Sequence, residues 1–274
     1  MAMSQQGEYA GMEIGAVALW CAYPGDLQAE EVLRECAALL DEAERARAGR
    51  FRFERHAGAY IASQALARIA LSHEHPLLPA AWRLSANAYG KPSAEPECGL
   101  RFNLSNCDEL VVCLVARGAE VGVDTEPWGR ANEIAALAPE VFSRREQEQL
   151  AALPEAERPD RALSLWTLKE AYIKARGRGL SLPLGQFSFV FGGAEGIRLK
   201  AEPDVDEEPG RWRFCLLDHA EHRIALMVEQ ALRSPALSAQ DAERMARPAL
   251  QMWEARPLTG APMRLHGVKT AGWF

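Results

Sequence analysis

The chain is predicted to be an α+β protein made of two similar halves packed together, with a seam near residues 120 to 130. The order helix, loop, strands occurs twice. Ala59-Tyr-Ile-Ala-Ser-Gln-Ala-Leu-Ala-Arg68 precedes a valine-rich hairpin, and Ala171-Tyr-Ile-Lys-Ala-Arg176 precedes a second hairpin between Arg211 and Val228. The length of 274 residues, with 48% apolar and 25% charged, suits a core of that size and excludes disordered and fibrous classes. The division expected from this pattern is 1–122 for the first α+β half, 123–230 for the second, and 231–274 as an extension whose role the sequence does not disclose.

Taken in order, Ile14 to Trp20 is a short apolar run that fits a buried strand. A helix is expected around Ala29 to Glu44. A longer one runs from Glu54 to about Ser72, where Ala62, Ala65, Leu66 and Ile69 recur at the spacing of one buried helical face. A loop rich in Pro and Gly follows and contains Tyr89-Gly90-Lys91-Pro92. Leu100 to Ser105, Leu110 to Ala116 and Val121 to Glu126 then read as strands, the last ended by Pro127. Ser143-Arg-Arg-Glu146 has the spacing of a capping box and marks a helix start. The next helix, from about Asp160 to Ala175, is stopped by Gly177 and Gly179. Phe187 to Phe191, Arg211 to Leu217 and Arg223 to Val228 read as strands, and the remaining tail contains a candidate helix near Ala239 to Arg247.

Charge and composition narrow the function classes. A net charge of −7 argues against a broad nucleic-acid-binding face. No run of about 20 apolar residues exists to span a bilayer, so no membrane partner is expected. Met1 to Gly11 lacks the regions of a signal peptide, which implies a cytoplasmic protein. The six cysteines are scattered without a C-x-x-C pair, so neither a disulfide framework nor structural zinc is expected. Only five of the 31 basic residues are lysine. That bias has no functional meaning by itself, but it draws notice to each position where lysine stands.

Two constellations carry chemistry. Asp124 and Glu126 lie two apart on a strand, so their side chains leave the same face and both can reach one hard cation; alone, the pair equally fits a solvated strand end. Glu170 and Lys174 are four apart on a helix, roughly opposite Leu165, Leu168 and Tyr172. That is the spacing of an ordinary surface ion pair, and equally of a phosphate site in which the carboxylate helps hold a metal while the ammonium neutralises the phosphate.

With these residues in view, the chain resembles the 4′-phosphopantetheinyl transferases of the surfactin-synthetase-activating type. The resemblance rests on an ordered set across roughly residues 14 to 229: Tyr89-Gly-Lys-Pro92, Phe102-Asn-Leu-Ser105, Gly122-Val-Asp-Thr-Glu126, Phe142-Ser143 with Glu146, and Trp166-Thr-Leu-Lys-Glu-Ala-Tyr-Ile-Lys174 running into Gly177-Arg-Gly-Leu-Ser-Leu-Pro183. It implies a pseudo-twofold monomer with its active site in the cleft between the halves. It implies transfer of phosphopantetheine from coenzyme A to a serine of an apo acyl or peptidyl carrier protein, with release of adenosine 3′,5′-bisphosphate. By the same resemblance Asp124, Glu126 and Glu170 would bind Mg²⁺, and Lys174 would contact the pyrophosphate. Lys91 and Pro92 would meet the nucleotide, and Arg55, Ser105 and Asn106 would lie near the 3′-phosphate. Many members carry histidine where this chain has Asn106, which can donate to a phosphate but cannot become cationic. Glu170, directly or through a metal-bound water, is the candidate base for the serine proton.

Two other classes use similar residues. A metal-dependent nuclease or phosphodiesterase also needs clustered carboxylates and a lysine, but the acidic balance and the helical spacing of Glu170 and Lys174 weigh against it. A non-catalytic carrier-binding protein would not need Asp124, Glu126, Glu170 and Lys174 all intact. Arg144 and Arg145, at the start of their helix, are expected to face an acidic carrier helix.

Overall fold

The computed structural model describes residues 16–179, 182–192, 196–202, 210–230, 249–265 and 273. Its first strand, β1 (Ala16–Ala22), is an unbroken apolar run because both of its faces are covered. Ala18, Trp20 and Ala22 point into one hydrophobic cluster, and Val17, Leu19 and Cys21 into another. The expected helix from Ala29 to Glu44 is two helices, α1 (Glu30–Leu39) and α2 (Glu42–Ala48). The break has a local cause. Asp41 accepts the Glu44 amide at 2.8 Å while the Glu44 carboxylate accepts the Asp41 amide at 2.8 Å, a capping box that restarts the helix.

Helix α3 (Glu54–Glu74) follows, with Ala62, Ala65 and Leu66 buried as their spacing predicts. The loop expected after it holds a short hairpin, β2 (Arg83–Ala86) with β3 (Pro92–Glu95). The middle of the chain comprises β4 (Leu100–Asn106), β5 (Val111–Arg117), β6 (Val121–Pro127), α4 (Ala131–Ala136), α5 (Ala138–Val141) and α6 (Arg144–Ala151). Beyond them come α7 (Arg158–Arg176), β7 (Phe187–Phe191), β8 (Ile197–Ala201), β9 (Trp212–His219), β10 (His222–Glu229), β11 (Ala249–Ala255) and β12 (Met263–Leu265). The predicted capping box forms at the start of α6, and Gly177 ends α7 in the left-handed region at φ 61°. The sequence did not reveal β8, β11 or β12. The polar N-terminal stretch and the candidate helix at 239–247 lie outside the described residues.

Two sheets form the centre, ordered β12-β11-β1-β5-β4 and β6-β10-β9. Residues of β1 and β5 pack on β6, β9 and β10 in one shared cluster containing Leu19, Leu114, Val123, Leu217 and Leu226. Helix α3 covers the outer face of the first sheet and α7 the outer face of the second. The result is an α+β pair of halves in four layers, helix, sheet, sheet, helix. The tail is not separate from this arrangement, since β11 runs parallel to β1 from Ala16↔Ala249 to Ala22↔Ala255.

The approach of α7 to its sheet is set by Gly122 on β6. A Cβ there would lie 2.1 Å from the Ala171 carbonyl oxygen and 2.5 Å from the Ala175 nitrogen, so strand and helix touch backbone to backbone. Ala171 and Ala175 are both buried, and larger side chains would force the two elements apart. Gly122→Ala is therefore expected to cost at least about 2–3 kcal/mol, as overpacking against backbone that cannot move aside. Urea denaturation measures this, and a loss below about 1 kcal/mol would show that the contact can relax.

Candidate active site

The alternation of β6 determines what faces α7. Val121 and Val123 enter the core between the sheets, so Gly122, Asp124 and Glu126 point the other way, toward the helix that carries Trp166, Glu170 and Lys174. The Lys174 ammonium crosses to Asp124, 2.7 Å from its Oδ1, and also donates to Ser105 Oγ at 2.8 Å. This corrects the simplest reading of the Glu170 and Lys174 spacing, because the lysine pairs across to β6 rather than along its own helix. Glu126 is held on both oxygens: Oε1 accepts Trp166 Nε1 at 2.8 Å, and Oε2 accepts Arg130 at 2.7 Å.

Strand β4 lies against β6 through side chains. Asn103 Oδ1 accepts the Val123 amide at 3.0 Å, while Ser105 Oγ donates to Asp124 Oδ1 at 2.9 Å and accepts the Thr125 amide. Ser105, expected to meet a ligand, lines the cavity that contains Asp124 and also orients that carboxylate.

The three carboxylates are mutually uncomfortable. Burial first, and then the charge of Asp124, holds Glu126 above the usual carboxylate range despite Arg130 and Trp166. Burial and then Asp124 likewise push Glu170 up, with Glu126 adding to the effect and Lys174 opposing it. Asp124 Oδ2 is buried and has no hydrogen-bond partner among the described residues. An unpaired carboxylate oxygen beside two carboxyls disfavoured as anions is what a hard divalent cation would satisfy, so Asp124, Glu126 and Glu170 fit a Mg²⁺ site on their chemistry.

A cavity of about 840 Å³ opens beside this cluster, with Arg47, Tyr60, Pro92, Asn106 and Lys174 in its wall. A second, of about 630 Å³, contains Asp124, Glu126 and Arg130. Asn106 and Lys174 line both, so they stand where the two meet. Arg55 is in the wall of neither cavity; it is half-exposed, with Nε 3.1 Å from Asp108, which lines both. Lys91 is turned away from them. Its ammonium donates to the Ala175 carbonyl at 2.5 Å and pairs with Glu120, tying the loop that carries Pro92 to the end of α7.

Arg130 and Asn103 were not singled out in the sequence. Arg130 lies four residues after Glu126, but Pro127 separates them and no helical spacing links the two. The Asn103 side chain does the work of a strand ladder, which no pattern of polarity reveals.

A family model described as the 4′-phosphopantetheinyl transferase superfamily matches residues 120–227. The chain is 32% identical over 179 residues to "4′-phosphopantetheinyl transferase HetI" of Nostoc sp., covering 64% of this chain and 75% of that one. It is 31% identical over 182 residues to a "4′-phosphopantetheinyl transferase" of Bacillus subtilis, covering 66% and 76% respectively. With "4′-phosphopantetheinyl transferase Sfp" of Bacillus subtilis the identity is 30% over 152 residues, covering 55% and 66%.

The elevated pKa of Glu170 has a consequence for stability. The folded chain holds that proton more tightly than the unfolded chain. This contribution is therefore full below the unfolded carboxylate pKa and is lost as pH rises through the elevated value. In chelator, Glu170→Gln is expected to raise the thermal midpoint at pH 8, with the advantage disappearing toward about pH 4, near the ordinary carboxylate pKa. A lower midpoint for the variant at pH 8 would mean that attraction to Lys174 outweighs burial.

Proposed function

The chain belongs to the 4′-phosphopantetheinyl transferase superfamily, and from that premise we propose that it transfers 4′-phosphopantetheine from coenzyme A to a serine hydroxyl of an apo acyl or peptidyl carrier protein. The observation that carries this reading is the convergence of Asp124, Glu126 and Lys174, from a strand and a helix far apart in sequence, around an orphaned Asp124 oxygen at a cavity wall, with Glu170 near enough to couple to all three by charge.

Asp124, Glu126 and Glu170 would hold Mg²⁺, which when bound would supply charge compensation for the pyrophosphate of coenzyme A. The chain's own groups do the rest. The serine oxygen forms a bond to the β-phosphorus as the bond from that phosphorus to the adenosine 3′,5′-bisphosphate oxygen breaks. Glu170 is the group placed to take the serine proton. Lys174, already at the junction of the two cavities, exchanges Asp124 for a phosphate oxygen and stabilises the departing bisphosphate. Ser105 keeps Asp124 in place during this exchange.

The larger cavity takes the nucleotide end. Pro92 packs against the base, Asn106 donates to the 3′-phosphate, and Arg55 meets the same group once Asp108 releases it. Lys91 serves this end by fixing the loop that presents Pro92. Arg144 and Arg145 start α6, where Arg144 is exposed, and form the basic face for an acidic carrier helix. The protein acts as a cytoplasmic monomer.

Incubation with an apo carrier protein, coenzyme A and Mg²⁺ is expected to add one phosphopantetheine mass to the carrier; no added mass on any of several carriers would remove the reading. Glu170→Gln is expected to lower turnover on the order of 100-fold or more while the protein stays folded, and near-full activity would strip Glu170 of its role as base. Lys174→Arg is expected to reduce kcat about tenfold or more, because a guanidinium is a rigid fork where a compact ammonium must follow the phosphate; unchanged turnover would show that any cation suffices.

A further inference from the structure

Along the wall of the cavity that contains Asp124 and Glu126, the turn after β4 and the start of β10 bring three further potential ligands together. Cys107 and Glu109 come from the first sheet and His222 from the second, 115 residues from Cys107. Cys107 Sγ lies 3.2 Å from His222 Nε2, and Glu109 Oε2 lies 3.9 Å from the same nitrogen. All three ligand atoms fall within 4.8 Å of one another.

The histidine is prepared for such a role. Its ring is buried, and Nδ1 is directed at the Ala220 carbonyl, which fixes the proton on Nδ1 and leaves the Nε2 lone pair facing Cys107. That carbonyl is presented by a tight turn in which Ala220 and Glu221 both take left-handed backbone, at φ 48° and 61°. Two consecutive left-handed residues are the geometry of a two-residue hairpin turn, here between β9 and β10.

We propose that Cys107, Glu109 and His222 form a binding site for Zn²⁺ that clasps the two sheets together at the mouth of the cleft. One thiolate, one imidazole and one carboxylate make three ligands of the kind zinc takes, with the fourth position left to water. On binding, the Cys107 S–H bond breaks, its proton passes to bulk water, and the thiolate sulfur and the Nε2 lone pair form the new bonds. The absence of any C-x-x-C pair hid this site in the sequence, because its third ligand is contributed by the opposite half. It is distinct from the site at Asp124, Glu126 and Glu170, which offers oxygen alone.

The test uses the full chain with excess Mg²⁺ present, so that the oxygen site is already supplied. After dialysis against Zn²⁺ and then zinc-free buffer, one zinc per chain is expected by elemental analysis, together with a rise in thermal midpoint. Co²⁺ in place of zinc is expected to give a thiolate-to-metal charge-transfer band, which carboxylate ligands cannot produce. Cys107→Ser should abolish that band and the midpoint rise. Glu109→Gln, at an exposed position where folding is not at issue, should weaken zinc binding at least about tenfold. No retained zinc in the unsubstituted protein, no charge-transfer band, or equal zinc binding by Glu109→Gln would each overturn the proposal, whatever the outcome for carrier modification.

Discussion

The contact between β6 and α7 at Gly122 is the constraint on which the candidate site depends. With no side chain on Gly122 and only methyl groups on Ala171 and Ala175, strand and helix meet at backbone distance. Everything functional is then set by periodicity from that point. Two and four residues along the strand, on the same face, come Asp124 and Glu126. On the helix, Glu170 and Lys174 each immediately precede one of the alanines. A separation larger by the width of one side chain would weaken the charge coupling of Glu170 to Asp124. Small residues at an interface are usually read as a packing matter; here they set the spacing of the chemistry.

Distance alone does not fix which helical residues face the strand, and a second device sets the position of α7. Lys169 is wholly buried, 2.8 Å from Glu146, and donates to the carbonyls of Leu184 and Phe187 at 2.7 and 2.6 Å. Glu146 in turn accepts the amides of Ser143 and Phe189 at 2.9 and 2.8 Å. Burial drives the Lys169 pKa down and Glu146 opposes that effect, so the pair persists as ions only because each is satisfied by the other and by backbone. Loss of either partner would leave an uncompensated buried charge, typically a matter of about 3–5 kcal/mol. The residue before Glu170 is therefore pinned to α6 and β7, and the face of α7 that carries Glu170 and Lys174 cannot rotate without breaking that tie.

Local signals were legible where local physics decides. The apolar run of β1, the capping box of α6, the left-handed stop of α7 and the buried stripe of α3 follow from the chain within a few residues of each feature. The break between α1 and α2 was missed because Asp41 and Glu44 also fit a continuous helix, and only the reciprocal amide bonds distinguish the two. The strand β11 escaped notice because its partner, β1, lies more than 200 residues earlier in the sequence. In the site, Asp124 and Glu126 could be placed on one face by counting. The partner of Lys174 could not, because spacing along a helix favours Glu170 while the structure brings Asp124 nearer across the interface.

Lysine is scarce in this chain, and the structure gives three of the five different tasks. Lys169 needs a compact charge, because its ammonium is enclosed by one carboxylate, two carbonyls and the face of Phe187, with the nitrogen 4.1 Å from the ring centroid; a guanidinium is too broad for that enclosure. Lys91 caps the carbonyl end of a helix, where a cation is favoured by the helix dipole and arginine would serve nearly as well. Lys174 differs from both because its partner can be satisfied in another way. Asp124 has one oxygen on the lysine and one oxygen orphaned. Any second positive charge reaching that carboxylate weakens its hold on the ammonium, which then stands at the junction of two cavities with no strong local partner. Lys169 and Lys91 have no such alternative. Of these three, the lysine free to move is the one tied to an under-satisfied acid, and that distinction comes from the pairing rather than from the count.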